Sequence, residues 1–458
     1  MDSKIAVESL PYSSTPYPLF KKIRHLPLPV LLASGDDRNR KDARFEYITA
    51  APDKVVKSTG TEISIETHTE KSVFSGSPFD VLAQEFPLDA NSTFDQDLPF
   101  SGGAIGYFGY EMLHPWFEIS PGHEKDIALP DMLIGIYSWV LVIDHVLKKC
   151  SLVFRDNCRK ELRDEVTKAL TQTNDISSGT FNLAGSFISN FTREAYQDAY
   201  QKVIDYILAG DCYQVNLTHR FVADCNGDPY TAFTRLQTIA KAPFAAFMED
   251  GDQAVLSFSP ERFIQVQNRK VMTQPIKGTR PRNPNPNQDE KNKIDLESST
   301  KDKAENLMIV DLLRNDLGRV CDTGSISVPN LFETQSFTNV HHLVSTITGE
   351  LEKREDVFAL IKAGFPGGSI TGTPKIRSME IINELENVMR SVYCGAFAWI
   401  DFNGNMDSNI CIRTLVKDKD KIYCWGGGGV VADSVCEQEY QESLDKINLF
   451  MDALKSGV

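Results

Sequence analysis

The chain has 458 residues, of which 41% are hydrophobic and 24% charged, and this composition excludes a disordered or fibrous protein. Its net charge of −15 argues against a nucleic-acid partner, because a phosphate backbone is bound mainly through clustered Lys and Arg. Nine cysteines are too sparse for a disulfide scaffold, and no apolar run approaches the roughly 20 residues of a membrane span. We therefore expect a cytoplasmic protein that binds neither nucleic acid nor membrane.

The N-terminal half is predicted to end in a polar linker. Residues 128–154 are rich in Ile, Val, Leu and Trp and are predicted to be extended, and residues 161–170 are predicted to be helical. Residues 171–185 are rich in Thr, Ser, Asn and Gly and lack any period, which is typical of a linker. We therefore distinguish an N-terminal region, 1–175, from a second region, 186–458. The sequence contains no fixed-period internal repeat.

The second region is predicted to mix helices and strands. It opens with a helix that Thr192 caps and Gly210 ends, and residues 254–271 read as strand, turn, strand. Residues 409–416 alternate as in a strand and place Arg413 among apolar neighbours on one face. Such an arginine needs an anionic partner, either a structural carboxylate or the carboxylate of a substrate. The pattern alone favours the structural ion pair.

Two glycine-rich stretches are candidates for ligand binding. The run 426–429 follows the extended segment 421–425 and lets backbone amides approach a ligand, although it can also be a flexible turn. In 367–375, Thr373 is a plausible cap and Pro374 a first helical residue, so a helix N-terminus there can bind an anion. Thr373 and Pro374 stand where a phosphate loop requires Lys and Ser or Thr, which excludes nucleotide binding.

Two glutamates lie beside the apolar stripes of predicted helices. If Glu305 and Glu442 face each other in the interior, their carboxylates suit Mg²⁺. The alternative is a surface position, because Glu442 and Lys446 form a common i,i+4 pair and Glu305 lies in a charged segment that begins at Lys301. The pattern alone favours the surface.

Taken in order, these segments resemble the chorismate-binding domain shared by anthranilate, isochorismate and aminodeoxychorismate synthases. The resemblance covers roughly 190–455 and extends into the N-terminal half. It implies an α+β protein with a single large anthranilate-synthase-like fold. Two orthogonally packed, mainly antiparallel β-sheets would be sandwiched between helices in four layers (α/β/β/α), with the two regions intertwined. The resembling phrases are 31–34, 98–107, 210–216, 259–263, 275–279, 304–316, 341–345, 366–375 and 426–434.

The resemblance also implies a set of site residues and a Mg²⁺ cofactor. The metal would hold the ring carboxylate of chorismate, and a buried glutamate with a raised pKa would protonate the departing C4 hydroxyl. Carried over position by position, the catalytic residues are Lys277, Glu261 and His342, the substrate-binding residues are Gly278, Thr279, Ser369, Tyr393, Arg413, Gly427 and Gly428, and the metal ligands are Glu305 and Glu442.

Two positions choose between the branches of the family. Isochorismate synthases carry a lysine where this chain has Gln214, and anthranilate synthases typically carry alanine where it has Lys277. Aminodeoxychorismate synthases of the lysine type have lysine at the second position, as here. A neutral Lys277 amine can add at C2 as the C4 hydroxyl leaves, and ammonia can then add at C4 and expel it. Residues 281–288, which follow directly, are predicted to be a polar loop that acts as a connector or a lid.

The resemblance implies a partner that supplies ammonia. None of the nine cysteines lies in the Gly-x-Cys-x-Gly elbow of an amidotransferase, so we expect a separate glutamine amidotransferase subunit. The activity expected is an aminotransferase-type step of para-aminobenzoate and folate synthesis. The alternatives are anthranilate synthase component I and a catalytically silent binding subunit. Feedback-sensitive anthranilate synthases have Leu-Leu-Glu-Ser where this chain has Leu-Leu-Ala-Ser at 31–34, so tryptophan inhibition is not expected, although a pocket at Ser34 stays open.

Overall fold

Every strand in the described part of the chain belongs to one of two large sheets. The computed structural model describes residues 5–35, 43–88, 97–172, 179–337 and 340–455. The helices are α1 (Tyr17–Ile23), α2 (Pro78–Glu85), α3 (Leu113–Phe117), α4 (Lys160–Thr171), α5 (Arg193–Ala209), α6 (Pro229–Ala240), α7 (Pro286–Ser298), α8 (Thr300–Gly318), α9 (Asp356–Gly364), α10 (Lys375–Leu385) and α11 (Cys436–Lys455). The strands are β1 (Ile5–Leu10), β2 (Val30–Ala33), β3 (Phe45–Thr49), β4 (Lys54–Thr59), β5 (Glu62–Thr67), β6 (Lys71–Ser75), β7 (Gly103–Phe108), β8 (Met132–Tyr137), β9 (Trp139–Asp144), β10 (Lys149–Arg155), β11 (Phe181–Leu183), β12 (Ile188–Ser189), β13 (Gln214–Gly227), β14 (Phe244–Asp250), β15 (Gln253–Ser259), β16 (Arg262–Gln267), β17 (Lys270–Thr273), β18 (Ile276–Pro281), β19 (Ser327–Ser336), β20 (Val340–Glu350), β21 (Gly372–Thr373), β22 (Ala396–Asp401), β23 (Met406–Ile410), β24 (Thr414–Asp418) and β25 (Lys421–Val430).

The two sheets draw strands from both ends of the chain. The first sheet has the order β1-β10-β9-β3-β2-β14-β15-β24-β25-β13-β11, with β12 and β21 also paired to β13. The second has the order β18-β20-β17-β16-β23-β22-β7-β8-β4-β5-β6, with β19 paired to β20. The predicted α+β class with two mainly antiparallel sheets is confirmed. The boundaries of the predicted regions 1–175 and 186–458 stay a prediction, and residues 173–178, where the first ends, lie outside the described residues.

The extended stretch 128–154, the helix at 161–170 and the first helix of the second half are confirmed as predicted. The linker predicted at 171–185 is interrupted by β11 at Phe181–Leu183, which pairs with β13. The stretch 128–154 contains β8, β9 and all of β10 except Arg155, and β9 is buried throughout because the sheet is covered on both faces. The Thr192 hydroxyl accepts from Ala195 N at 3.1 Å, and Gly210 ends α5 with φ of 84°. None of the helices in the described ranges is long and apolar enough to cross a membrane.

The order of the strands is repeated in the two halves of the chain. In the first half, β2–β3 lie in the first sheet, β4–β5 and β7–β8 in the second, and β9–β10 in the first again. In the second half, β14–β15, β16–β17, β22–β23 and β24–β25 follow the same path. The halves meet where β2 pairs with β14 and β7 with β22. A fixed period is absent from the sequence because the second half carries an additional segment, 276–385, between β17 and β22.

Residues 409–416 do not form one strand, so that prediction is wrong. β23 ends at Ile410 in the second sheet, and β24 begins at Thr414 in the first. Between them Arg413 has φ of 50°, a left-handed conformation that turns the chain from one sheet to the other. Apolar residues alternate through the crossing because both sheets bury them. The alternation therefore has the same appearance in the sequence as one continuous strand.

A second crossing lies beside this one. β15 in the first sheet is followed after Ser259 by β16 in the second, which is the predicted strand, turn and strand of 254–271. Ile410 N donates to Glu261 O at 3.1 Å, and Phe258 N donates to Arg413 O at 3.1 Å. Backbone hydrogen bonds therefore fix the two crossings to each other.

The glycine run 426–429 lies within a strand and not after one. β25 continues through all four glycines to Val430, paired with β13 in register. A Cβ at Gly426 would lie 2.3 Å from Ser443 O, so glycine is required there for α11 to pack directly on the strand. The interpretation of the run as a flexible turn is also wrong.

The helix after the second glycine-rich stretch begins one residue later than predicted. Pro374 is the cap position and α10 starts at Lys375. Thr373 belongs to β21, where it pairs with Gln214, and its hydroxyl makes no capping hydrogen bond. The loop predicted at 281–288 is likewise shorter, because β18 extends to Pro281 and α7 begins at Pro286.

A buried arginine links the elements around these crossings. Arg390 donates two hydrogen bonds to Glu386, at 2.6 and 2.8 Å, and lies over the ring of Tyr110. It also donates to Ile370 O at 3.0 Å and to Asn216 O at 2.7 Å. It therefore connects α10 with β13 and with the segment that carries Ser369.

Replacing Arg390 with Leu is expected to lower the free energy of unfolding by about 3–5 kcal/mol, because the Glu386 carboxylate is left buried without its partner. Urea unfolding followed by circular dichroism measures this change. The matched control is Arg314→Leu, which removes an exposed pair with Asp311 and is expected to cost less than about 1 kcal/mol. Equal losses in the two variants would contradict the role assigned to Arg390.

Candidate active site

Lys277, the predicted catalytic lysine, lies in the additional segment 276–385, which the first half lacks. Lys277 is on β18, and its Nζ donates to Ser369 O at 3.2 Å. Burial lowers the pKa of Lys277, and the carboxylates of Glu261, Glu305 and Glu442 act in the opposite direction. The ammonium form is therefore held less firmly than in an exposed lysine.

Glu261 faces Lys277 from the crossing between β15 and β16. Its side chain is buried, and burial raises the pKa of the Glu261 carboxyl, while the nearby Lys277 opposes that shift. Burial thus favours the neutral acid and the neutral amine, whereas their mutual attraction favours the ions. An acid and an amine that are both favoured in their neutral forms suit a general acid next to a nucleophile.

Arg413 lies at the other crossing and makes no ion pair with any residue of the described ranges. Burial lowers the pKa of its guanidinium, and no carboxylate counters the effect. The structural ion pair that the pattern favoured is therefore wrong. In contrast, Arg262 nearby is held by Asp407 at 2.9 and 3.0 Å. An unpaired, largely buried guanidinium fork is suited to an anionic ligand.

An open strand edge lies beside Arg413. β24 pairs with β25 only up to the register pair of Leu415 and Cys424, so backbone groups of Gly427 and Gly428 on that side are not covered by β24. Gly427 O accepts from Lys446 Nζ at 2.9 Å. Tyr393, also predicted to bind substrate, is buried behind this edge with its ring stacked on Trp425.

Three glutamates face this region, one more than the sequence predicted. A Cβ at Gly428 would lie 3.1 Å from Glu439 Oε2 and 3.8 Å from Glu442 Oε1. Burial raises the pKa values of Glu305 and Glu439, and repulsion between the carboxylates adds to both. Sequence reasoning missed Glu439, although its position three residues before Glu442 places both on one face of α11. The Ser434 hydroxyl donates to Glu439 Oε1 at 2.7 Å.

The surface pairs proposed as alternatives are also present. Lys446 contacts Glu442 at 2.7 Å, and Lys301 lies 3.9 Å from Glu305. The Glu442 side chain is 56% exposed, so it lies at the surface as the pattern favoured. Partial burial raises the pKa of Glu442, but the Lys446 ammonium outweighs it and the net direction is downward. In the described part of the chain no three Asp, Glu, His or Cys side chains converge on one point as a metal site. The donor chemistry nevertheless fits Mg²⁺, which takes one or two protein carboxylates and completes its shell with water and ligand oxygens.

The remaining predicted residues line the same region. Thr279 Oγ1 lies 2.8 Å from His342 Nδ1 across the β18–β20 pair. Gly278 has φ of 83°, and a Cβ there would approach the Asp302 carboxyl carbon to 2.9 Å. The structure thus brings together the predicted residues of β18 and β20 and Ser369. Their individual roles stay predictions.

The pocket that the sequence left open at Ser34 is separate from this site. A cavity of about 80 Å³ lies between Ser34, Tyr47, Phe244 and Trp399. It is smaller than the roughly 300 Å³ at the lower end of ligand pockets. Binding of an effector there stays a prediction.

Replacing Arg413 with Gln is expected to change the free energy of unfolding by less than about 1 kcal/mol, because no ion pair is broken. The affinity for chorismate, the ligand that the sequence predicts, is expected to fall at least about tenfold, because a charged hydrogen bond is worth about 1.5–3 kcal/mol. Urea unfolding and titration calorimetry measure the two quantities. The control Arg262→Gln breaks a real pair and is expected to cost about 3–5 kcal/mol of stability. A comparable loss in Arg413→Gln would restore the structural interpretation.

Comparison with known proteins agrees with this geometry. Residues 37–452 match the chorismate binding enzyme family. Aminodeoxychorismate synthase component 1 of Escherichia coli (strain K12) is 43% identical over 438 residues, which cover 95% of each chain. Anthranilate synthase component 1 of Acetivibrio thermocellus is 32% identical over 461 residues, 97% of this chain and 93% of the relative. The crystal structure of anthranilate synthase component I from Streptococcus pneumoniae TIGR4 has a TM-score of 0.80 at 30% identity, covering 89% of this chain and 92% of that chain. The chain belongs to the family of chorismate binding enzymes.

Proposed function

We propose that the protein converts chorismate and ammonia to 4-amino-4-deoxychorismate, as the chorismate-binding component of an aminodeoxychorismate synthase. The observation that carries this proposal is Lys277 facing Glu261 beside an unpaired Arg413. The name of the 43% identical relative supports it, and that relative is called component 1. The product would lead to para-aminobenzoate and folate.

In the first step the neutral Lys277 amine adds at C2 of chorismate. The C1–C2 double bond shifts to C1–C6, the C5–C6 double bond shifts to C4–C5, and the C4 hydroxyl leaves as water with the proton of Glu261. The Glu261 carboxylate then takes the proton that the secondary ammonium loses. Burial supports both roles, because it favours the neutral amine and the protonated acid.

In the second step ammonia adds at C4. The two double bonds return to C1–C2 and C5–C6, and the Lys277 amine is expelled from C2, so that the enzyme is regenerated. The ammonium formed at C4 supplies the proton that the leaving amine needs. Ammonia thus acts at the carbon that lost the hydroxyl, while Lys277 occupies the carbon that ammonia attacks in anthranilate formation.

The two carboxylates of chorismate have separate candidate partners. Arg413, with the Gly427–Gly428 edge, would hold the carboxylate of the side chain. Glu305 and Glu442 would hold Mg²⁺, with Glu439 beside them, and the ion would supply the positive charge that neutralises the ring carboxylate. Lys446 and Lys301 contact these glutamates here and would yield them to the metal. A separate glutamine amidotransferase would supply the ammonia.

The product of the purified protein tests the proposal. With chorismate, MgCl₂ and ammonium at alkaline pH, aminodeoxychorismate is expected, and added aminodeoxychorismate lyase should convert it to para-aminobenzoate, detected by liquid chromatography. Removing Mg²⁺ with EDTA is expected to abolish the reaction, since the carboxylates would face the substrate without a counter-charge. Anthranilate as the main product would favour the alternative enzyme of the family, and no product at all would favour a silent binding subunit.

A covalent adduct tests the role of Lys277. Wild-type protein incubated with chorismate and Mg²⁺ without ammonia is expected to show an adduct by mass spectrometry, on the peptide that contains Lys277. Because burial lowers the pKa of Lys277, the rate of adduct formation should rise with pH through a midpoint below the usual lysine value of about 10.4. The adduct should be absent from Lys277→Ala and present in Lys270→Ala, which changes an exposed lysine of β17. Its persistence in Lys277→Ala would exclude this nucleophile.

A further inference from the structure

We propose that the ammonia-supplying subunit docks on the face formed by the end of α5, the turn 210–213 and the start of α10, and that ammonia enters between Gln214 and Thr373. We call this face the α5–α10 face. The inference rests on the proposed function. It adds the location of the partner and the route of its product.

Three large apolar side chains are exposed on the α5–α10 face. The exposed fractions are 76% for Leu208, 68% for Tyr213 and 50% for Ile376. They belong to three consecutive parts of one surface, because Tyr213 N donates to Thr373 O at 2.7 Å, just before α10 begins. Exposed apolar side chains grouped in this way mark an interaction site, and tyrosine is common at the energetic centre of such sites.

Ionic contacts hold the face in one shape. Arg377 of α10 lies 3.7 Å from Asp211, and its guanidinium stacks over the ring of Tyr206 of α5. The Tyr206 hydroxyl donates to Glu384 at 2.8 Å, and Arg377 also pairs with Glu380. The apolar centre is thus surrounded by polar residues, as in protein interfaces. Carboxylates are in excess among these polar residues, so the face fits a partner whose own rim is basic.

Directly behind this face, the pair of β13 and β21 carries buried polar side-chain atoms that lack hydrogen-bond partners among the described residues. Gln214 is fully buried, and neither Oε1 nor Nε2 has a hydrogen-bond partner among the residues that the structure describes. The same is true of Thr373 Oγ1, which lies on the strand paired with Gln214. Unpaired buried amides are costly, so these atoms are suited to a small polar molecule that passes between them. Ammonia both donates and accepts hydrogen bonds and is small enough for this role.

The segment 369–373 connects this face with Lys277 over a short distance. Along one short segment, Thr373 O accepts from Tyr213 N, Thr371 O accepts from Asn216 N at 2.8 Å, and Ser369 O accepts from Lys277 Nζ at 3.2 Å. Four residue steps separate Ser369 from Thr373, which span at most roughly 14 Å of extended chain. Ammonia released at the α5–α10 face would therefore follow this short segment to Lys277.

Charged substitutions on the face test the docking. The double variant Tyr213→Asp/Ile376→Asp, mixed with the glutamine amidotransferase subunit of the same organism, is expected to lose glutamine-dependent activity at least about tenfold. Its activity with ammonium should stay within about twofold of wild type, because neither residue lies in the site. The control Val146→Asp changes an equally exposed apolar residue, 61% exposed, in the turn between β9 and β10 and should retain both activities.

The outcomes separate the docking from the function on which it rests. If wild-type protein makes no aminodeoxychorismate from ammonium, the proposed function fails. If ammonium works but the double variant keeps full glutamine-dependent activity, or no amidotransferase subunit supports wild type, the docking site is overturned.

Gln214→Leu tests the route. It replaces the amide by an apolar side chain of similar size, and the expected result is more glutamate released per molecule of product than the ratio near one of the wild type. Activity with ammonium should fall less than activity with glutamine. An unchanged ratio, or equal losses with both nitrogen sources, would overturn the route and assign Gln214 to the reaction itself or to packing.

Discussion

Two strand crossings set side by side are the constraint on which the site depends. Each carries a strand from one sheet to the other, and backbone hydrogen bonds join them at Glu261 and Arg413. Because β15 pairs with β24 and β16 with β23, neither crossing can move without disturbing both sheets. Glu261 and Arg413 are therefore positioned by main-chain pairing, and no contact between their side chains is needed to position them.

The first half of the chain has the same crossings without the same chemistry. There, β3 passes to β4 through Ala51, and β8 passes to β9 through Ser138. The second half differs by carrying Glu261 and Arg413 at its crossings, where the first half has Asp53 and Ser138, and by the additional segment 276–385. That segment supplies Lys277, Glu305, His342 and Ser369, so the architecture is common to both halves while the site belongs to one.

Electrostatically, the site is held away from the preferred state of its groups. Burial lowers the pKa of Lys277, raises the pKa of Glu261, and leaves Arg413 without a carboxylate. Each of these features lowers the stability of the fold, and a bound dicarboxylate would relieve the cost at Arg413. The buried pair of Arg390 and Glu386 contributes rigidity at the same corner.

By itself the sequence determined the family, the branch position at Lys277 and the capped helix of Thr192, because each is expressed in a short run of neighbouring residues. Only the tertiary structure decided that 409–416 divides between two sheets, since apolar residues alternate in the same way whether one sheet buries them or two. It also revealed the burial of Glu439 and the missing partner of Arg413. Burial and ion pairing depend on contacts between residues far apart in the chain, which no local pattern records.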